Sequence, residues 1–188
     1  MNLLDDPRHL PPGLPVPTDD GACDHLLGAV LPSLALPATD GSVVDLSALP
    51  GRSVVFVYPQ TGRPGVPPLI PDWDEVPGAR GCTPQTCGYR DRYGDFTALG
   101  CRVFGLSTQT TGYQQEMVGR LGVLFGVLSD AGLGLTRALG LPTFEAGGQV
   151  LLKRMAWVVD EGRIVKVFYP VFPPDQNAAA VLAWLREG

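Results

Sequence analysis

The sequence RSVVFVYP at residues 52–59 is a run of β-branched and aromatic residues that ends at a proline. A continuous apolar run of this length is typical of a strand that is buried on both faces of a sheet. Similar runs follow at 102–107 (RVFGLS) and 123–128, and helical patterns at 82–99 and 111–121 separate the three strands. Strands that alternate with helices predict an α/β fold, with a central sheet flanked by helices.

The C-terminal part of the sequence predicts that this sheet is mixed. Residues 150–159 and 164–169 form two strand patterns, and a tight turn at 160–162 joins them. A short helix is predicted at 133–139, and a final Ala-rich helix is predicted to begin at Asp175 as its N-cap. A hairpin after the strand–helix alternation adds antiparallel strands to a parallel sheet.

The N-terminal part predicts an arm followed by one domain. Residues 1–22 are rich in Pro and Asp and have no apolar period, so we expect an extended or loosely packed arm, with the folded domain at 23–188. Residues 33–49 predict two short strands around a turn. The Pro- and Gly-rich stretch at 62–81 predicts a long loop that contains no regular element.

Composition excludes several classes of function. The chain has 188 residues, a net charge of -5 and no cluster of basic residues, which argues against a nucleic-acid partner or a membrane surface. The apolar runs are too short to span a membrane, and the N-terminus lacks the pattern of a signal peptide. We therefore expect a cytoplasmic protein, in which closely spaced cysteines indicate redox chemistry or metal binding.

The residues that could supply thiol, imidazole or metal chemistry are few, namely Cys23, Cys82, Cys87, Cys101, His9 and His25. A Cys–His hydrolase or a zinc site with histidine ligands would need the N-terminal segment to fold back onto a cysteine. A site made of four thiolates usually contains two Cys-x-x-Cys pairs, and this chain contains none. A cysteine-ligated metal module therefore stays an alternative, and no cofactor is expected.

Cys82 lies where the loop meets the start of the helix predicted at 82–99. Unpaired N–H groups and the positive end of the helix dipole favour an anion there. A thiolate is such an anion and is also the reactive form of cysteine. The position of Cys82 therefore predicts a reactive thiol.

Cys87 follows Cys82 at a spacing that constrains any bond between them. On one regular helix, the two Cα atoms would be roughly 8–9 Å apart, whereas a disulfide tolerates only about 7 Å. A bond between them would require the first turns of the helix to unwind. Spacing alone leaves two interpretations open, because Cys87 could equally be a small buried helix residue and Cys82 an incidental loop thiol.

Residues 81–91, Gly-Cys-Thr-Pro-Gln-Thr-Cys-Gly-Tyr-Arg-Asp, resemble the active-site segment of the Q-type peroxiredoxins, also called bacterioferritin comigratory proteins. In that family Gly-Cys-Thr begins a helix, and a second cysteine and an aromatic-Arg-Asp follow. Four further segments resemble family motifs in the same order: VFVYP at 55–59, FGLS at 104–107, VLSD at 127–130 and KRMAWVVD at 153–160. The resemblance extends from about residue 26 to the end of the sequence.

The resemblance implies a thioredoxin-like α/β sandwich and the reduction of hydrogen peroxide and organic hydroperoxides. By this resemblance Cys82 attacks the O–O bond and becomes a sulfenic acid, and Cys87 condenses with it to an intramolecular disulfide. Arg154 matches the catalytic arginine of the family, and Pro59 matches the proline of the active-site motif. The implied partner is a thioredoxin-like dithiol, and the intramolecular disulfide is compatible with a monomer.

The sequence departs from the family pattern before Cys82. The family has a hydroxyl residue three positions before the cysteine, where this chain has Ala79. Pro59 lies 23 residues before Cys82, a much longer spacing than in the family, so residues 64–81 form an insertion. Thr61 and Thr83 are the hydroxyl residues closest to the two halves of the motif, and we expect Thr61 to contact the peroxide.

The insertion and the overall function leave alternatives open. Leu69, Ile70 and Trp73 are apolar enough to form a lid, a substrate wall or an interface, or to pack within a surface loop. The same thiol chemistry would also serve a peroxide sensor that relays oxidation to a partner. A thiol–disulfide oxidoreductase is a further alternative, although the Cys-x-x-Cys motif of such enzymes is absent.

Overall fold

A computed structural model describes residues 10–188. Short 3-10 turns lie at Asp24–Leu26, Leu46–Ala48, Trp73–Glu75 and Pro174–Gln176. The strands are β1 (Ala35–Pro37), β2 (Val43–Asp45), β3 (Arg52–Val57), β4 (Arg102–Ser107), β5 (Val127–Ser129), β6 (Thr143–Ala146), β7 (Gln149–Leu152), β8 (Met155–Asp160) and β9 (Arg163–Phe168). The helices are α1 (Cys82–Asp91), α2 (Tyr93–Ala98), α3 (Thr111–Leu121), α4 (Gly134–Leu139) and α5 (Asn177–Glu187).

The central sheet has five strands in the order β5-β4-β3-β8-β9. Strands β3, β4 and β5 are parallel, and β8 and β9 add antiparallel pairs at the other side of β3. Two small antiparallel ladders, β1–β2 and β6–β7, lie outside this sheet. The prediction of an α/β fold with a central mixed sheet is therefore confirmed.

Strand β3 divides the core because side chains alternate between the two faces of a strand. Phe56 and its alternating neighbours pack against α1, α2, α3 and α5 on one face. Val55 and Val57 pack against α4 and the β1–β2 hairpin on the other face. Both faces of β3 are buried, which explains why its sequence is continuously apolar.

Several predicted boundaries are wrong, and each has a local cause. The helix predicted over 82–99 is interrupted at Arg92, whose backbone leaves the helical region, so that α1 and α2 are separate. The strand predicted over 150–159 is divided into β7 and β8, which pair in different sheets. The strand predicted over 123–128 begins only at Val127, where its pairing with β4 begins.

The predicted start of the last helix is also wrong. Asp175 belongs to the 3-10 turn Pro174–Gln176, and α5 begins at Asn177 without a side-chain cap. Strand β6 was absent from the predicted elements. Its residues alternate only partly in burial and pair locally with β7, which gives a weak sequence signal.

The described part of the arm, residues 10–22, contains no helix or strand and is fixed by polar contacts. The Asp20 carboxylate accepts hydrogen bonds from Lys153 Nζ at 2.6 Å and from the Tyr169 hydroxyl at 2.7 Å. Together these two bonds hold the pKa of Asp20 well below its usual range. The arm therefore lies against the segment that joins β7 to β8.

The insertion at 64–81 is irregular except for the single 3-10 turn at Trp73–Glu75. Its apolar side chains, with Trp73 at the centre, pack against Phe144 of β6 and Leu151 of β7 in a small separate core. The centroids of the Trp73 and Phe144 rings are 6.3 Å apart. The β6–β7 hairpin thus buries Trp73 and partly buries Leu69 and Ile70, whereas Val66 stays exposed. None of the helices within residues 10–188 has the length and hydropathy of a membrane span.

Candidate active site

Cys82 is the first residue of α1, and the loop reaches it through a glycine. Gly81 has φ of +105°, a conformation that favours glycine. A Cβ atom at this position would lie 2.3 Å from Cγ of Pro174 and 2.9 Å from Cδ2 of Leu10. Pro174 and the arm thus pack closely over Gly81, and the next residue, Cys82, is only 3% exposed.

Arg154 is the charged partner of Cys82. Its Nη2 donates to the Cys82 Sγ at 3.2 Å, and the arginine is 3% exposed. The planar guanidinium thus places a permanent positive charge directly against the sulfur. Arg154 was predicted on a strand, but it lies in the two-residue step between β7 and β8, which directs it into the site.

Three consecutive backbone carbonyls at the end of the insertion surround the Arg154 guanidinium. They belong to Gly78, Ala79 and Arg80, and we call residues 78–80 the carbonyl collar. The Arg154 Nε donates to Gly78 O at 3.2 Å, and Nη2 donates to Ala79 O at 3.0 Å and to Arg80 O at 3.1 Å. The collar also contacts the thiol, because Ala79 O lies 3.6 Å from the Cys82 Sγ.

Gln85 completes the surroundings of Arg154 and was not singled out from the sequence. Its Oε1 accepts a hydrogen bond from the Arg154 Nη1, and its side chain is fully buried. A signal was available, because residues three positions apart lie on the same face of a helix and Gln85 is three residues after Cys82. A buried amide on the face of a reactive cysteine indicates a role in the site.

Cys87 lies on α1 after Cys82 and is half-buried. All four cysteines are thiols in the structure. Because α1 is helical from Cys82 to Asp91, the roughly 8–9 Å separation expected for a regular helix applies to the two Cα atoms. The structure therefore represents the reduced arrangement, in which the two sulfurs are not bonded.

Pro59 and Thr61 follow β3 and are both buried. The backbone N–H and the Oγ1 of Thr61 donate to Gln109 Oε1 at 3.0 Å and 3.2 Å. Its carbonyl accepts a hydrogen bond from the Tyr113 hydroxyl at 3.1 Å. The polar contacts of Thr61 are thus directed toward the β4–α3 region, and the contact of Thr61 with peroxide stays a prediction.

The other cysteines occupy positions where a thiol is unreactive. Cys23 packs in the core on the opposite face of the sheet from Cys82, with its Sγ 3.7 Å from the Met155 Sδ. Burial raises the pKa of Cys23 to about 12 and that of Cys101 to about 11. Because Cys23 and Cys82 lie on opposite faces, the four cysteines do not meet at one site.

The histidine predicted as a possible partner also lies elsewhere. His25 Nε2 is hydrogen-bonded to the Leu139 carbonyl at 2.8 Å, at the end of α4. Its neighbour Leu26 packs on the face of the sheet opposite Cys82. His9 lies outside the described residues. The arrangement of His25 therefore argues against a Cys–His hydrolase.

A cavity of about 340 Å³ borders the site on the side of Arg154. Its walls are largely apolar and come from separate parts of the chain, with Pro17 from the arm, Val76 and Pro77 from the insertion, and Phe144 from β6. The charged part of the wall comes from Arg154, Lys153 and Asp20. The insertion and the arm thus form a cleft directly beside the arginine that contacts Cys82.

Comparison with known proteins agrees with this geometry. The sequence profile of the Redoxin family matches residues 26–182. The chain is 30% identical over 171 residues to peroxiredoxin bcp1 of Schizosaccharomyces pombe, covering 86% of this chain and 77% of that protein. The chain belongs to the Redoxin family, as a peroxiredoxin of the Q type. The resemblance noted in the sequence is confirmed.

Two further relatives of this peroxiredoxin agree. Peroxiredoxin Q of Oryza sativa subsp. japonica, named as chloroplastic, is 30% identical over 161 residues, which cover 85% of this chain and 66% of that protein, just under two thirds. The crystal structure of the peroxidoxin BcpB from Mycobacterium tuberculosis superposes with a TM-score of 0.68 at 25% identity, covering 86% of this chain and 96% of that one. The thioredoxin-like fold is thereby confirmed.

Proposed function

We propose that this peroxiredoxin is a thiol-dependent peroxidase in which Cys82 is the attacking residue. The observation that carries the proposal is the 3.2 Å contact between the Arg154 guanidinium and the Cys82 sulfur at the start of α1. The thiolate attacks one peroxide oxygen, the O–O bond breaks, and the other oxygen leaves as water or an alcohol after it takes up a proton. Cys82 becomes a sulfenic acid.

Arg154 supports this step in two ways. Its charge stabilises the thiolate before attack, and its N–H groups stabilise the negative charge that develops on the leaving oxygen. In the reduced structure these N–H groups are directed to the carbonyl collar, to Gln85 and to the sulfur. A peroxide that accepts a hydrogen bond from the Arg154 Nη2 beside the sulfur would compete with the Ala79 and Arg80 carbonyls, and we propose that residues 78–80 shift to admit it.

Cys87 is the proposed resolving residue. Its thiol attacks the Cys82 sulfenic acid, a sulfur–sulfur bond forms, and water leaves. Since the two residues lie on one helix, this step requires the first turns of α1 to unwind. A thioredoxin-like dithiol then reduces the disulfide by thiol–disulfide exchange, with the dithiol oxidised in turn. A reducing compartment such as the cytoplasm would supply that partner, and the reaction needs only one subunit.

Hydrogen peroxide and organic hydroperoxides are the proposed substrates. The cavity beside Arg154 supports the organic class, because its apolar walls, including Val76, Pro77 and Phe144, would cover the organic group of such a substrate. Hydrogen peroxide is small enough to need no such cleft. Comparing kcat/KM for hydrogen peroxide and for a bulky organic hydroperoxide measures how much the cavity contributes.

The test of the proposed function is a peroxide assay coupled to a thioredoxin system, with wild type, Cys82→Ser and Cys87→Ser. We expect wild type to turn over and to yield an intramolecular disulfide by intact mass. Cys82→Ser should be inactive, and Cys87→Ser should stop at the sulfenic acid. Full turnover by Cys82→Ser would show that another residue attacks peroxide, and a single oxidation without repeated turnover would favour a sensor.

A further inference from the structure

Asn177 is a buried amide that the proposed reaction does not use. It is the first residue of α5 and is 4% exposed. Its Oδ1 accepts two hydrogen bonds from α1, one from the Gln85 Nε2 at 3.0 Å and one from the Tyr89 hydroxyl at 2.7 Å. Two converging donors on one buried oxygen fix both the position and the orientation of the Asn177 amide.

Gln85 connects this amide to Arg154. The Oε1 and Nε2 atoms of a glutamine side chain belong to one planar group, so they cannot be oriented independently. The Gln85 Nε2 donates to Asn177, and its Oε1 therefore points to the Arg154 Nη1, from which it accepts a hydrogen bond. If the amide were flipped, its NH₂ group would face the guanidinium, which is a donor only.

Tyr89 fixes the other end of this arrangement. Burial holds the pKa of Tyr89 well above its ordinary value, so the hydroxyl stays protonated and can only be a donor toward the Asn177 oxygen. Gln85 and Tyr89 have no exposed surface. Water therefore cannot replace Asn177 as the acceptor without rearrangement of the core.

We propose that Asn177 is a positioning residue for the reaction, which holds the Gln85 amide in the orientation that fixes Arg154 against the Cys82 sulfur. This inference rests on the proposed function, because it concerns the same thiol and the same arginine. Of the two side chains that donate to the Asn177 oxygen, only Gln85 is hydrogen-bonded to Arg154. The effect of Asn177 on the reaction must consequently pass through Gln85.

A double-mutant cycle tests this dependence. The second-order rate constant of reduced Cys82 with hydrogen peroxide is measured for wild type, Asn177→Leu, Gln85→Leu and the double variant. We expect Asn177→Leu to lower the rate constant about tenfold, as the loss of one buried hydrogen bond in the transition state would. In the Gln85→Leu background the same substitution should have no further effect.

Leu182→Ala is the matched control, because Leu182 is buried on the same helix and takes no part in the hydrogen bonds that connect Asn177 to Arg154. It should lower the thermal midpoint of unfolding without changing the rate constant. If Asn177→Leu does not fold, Tyr89→Phe, which removes one of the two donors to Asn177, gives the same cycle with Gln85→Leu.

Equal effects of Asn177→Leu in both backgrounds, or none in wild type, would overturn the proposal. A wild type that consumes no peroxide would instead refute the proposed function. In that case the same cycle, measured as the rate of Cys82 alkylation by iodoacetamide, still decides the role of Asn177.

Discussion

At the scale of single residues, the site depends on where charge and backbone are placed around one sulfur. Arg154 occupies a two-residue step between strands, a position that buries its guanidinium among carbonyl groups. Gly81 supplies the backbone conformation that no other residue adopts easily. The role of each residue depends on geometry that the most similar amino acid, lysine for Arg154 and alanine for Gly81, does not reproduce.

Arg154→Lys should lower kcat/KM for hydrogen peroxide by about a hundredfold. Lysine keeps the charge but lacks the planar set of donors that reaches Cys82, Gln85 and the collar together. Steady-state kinetics with hydrogen peroxide measures the loss. Lys166→Gln removes a cation from the edge strand β9 and serves as the control. An Arg154→Lys variant as active as wild type would contradict the role of the guanidinium.

Gly81→Ala should lower the free energy of unfolding by about 1–3 kcal/mol, since the new Cβ is strained at positive φ and meets Pro174. Denaturant titration measures this change. Gly94→Ala is the matched control, because Gly94 lies in α2 with open space around it. Alanine there should be neutral or stabilise the protein by up to about 1 kcal/mol.

At the scale of elements, α1 is the segment whose structure would differ between the reduced and oxidised states if the proposed Cys82–Cys87 disulfide forms. It carries Cys82, Gln85 and Cys87 and packs closely on the C-terminal segment, where a Cβ at Gly88 would lie 3.2 Å from the Asp175 carbonyl. A disulfide within α1 must disturb this packing. In the proposed cycle the reduced helix holds the catalytic arrangement together, and formation of the disulfide would release it.

Oxidation by one equivalent of peroxide should raise amide hydrogen exchange in residues 82–91 and lower the far-UV helical signal, because the disulfide requires unwinding. Reduction should restore both signals. Cys87→Ser is the control, since it forms the sulfenic acid without the bond. Unchanged exchange in oxidised wild type would show that the bond forms without unwinding.

The accuracy of the sequence predictions differed between elements for physical reasons. Strand β4 and helix α3 were predicted to the residue, because each carries an unbroken pattern of one period. The prediction of one strand over 150–159 was wrong because strand-forming residues lie on both sides of Lys153-Arg154, whereas the pairing partners change after Leu152. The local sequence pattern indicates which residues are buried, whereas the limits of each strand depend on pairing between distant segments.

The candidate site, like the fold, could be predicted only in part from the sequence. Cys82, Cys87 and Arg154 carry a recognisable spacing and motif, and the structure places Arg154 on the Cys82 sulfur. The connection of Asn177 to Gln85 spans 92 residues of sequence, so no local pattern contains it. The contacts of the collar with Arg154 could not be predicted either, because they use backbone carbonyls, which every sequence has.

At the scale of the whole molecule, the central sheet separates two sets of thiols. Cys82 and Cys87 lie on the face covered by α1, and Cys23 lies on the other face. The sheet therefore separates Cys23 from Cys82, which argues against Cys23 as a resolving residue. In the proposed mechanism the reaction is confined to one face of the sheet.

The buried thiols should make stability depend on alkaline pH. The pKa of Cys23 is raised by burial from 9.0 to about 12, so the unfolded chain loses this proton at lower pH than the folded chain. The contribution is complete below about pH 9 and is lost as the pH rises toward 12. The free energy of unfolding should therefore decline over this window, and Cys23→Ala should make the decline shallower. An identical decline in Cys23→Ala would exclude this thiol as a cause.

The carbonyl collar has a consequence for the kinetics of the whole cycle. If residues 78–80 must move before peroxide reaches Arg154, attack follows a first-order opening of the closed form. At low peroxide the rate grows with concentration, whereas at high peroxide it reaches a ceiling equal to the opening rate. At that ceiling the rate of attack is the same for every peroxide. Its temperature dependence then reports a motion of the polypeptide instead of the cleavage of an oxygen–oxygen bond.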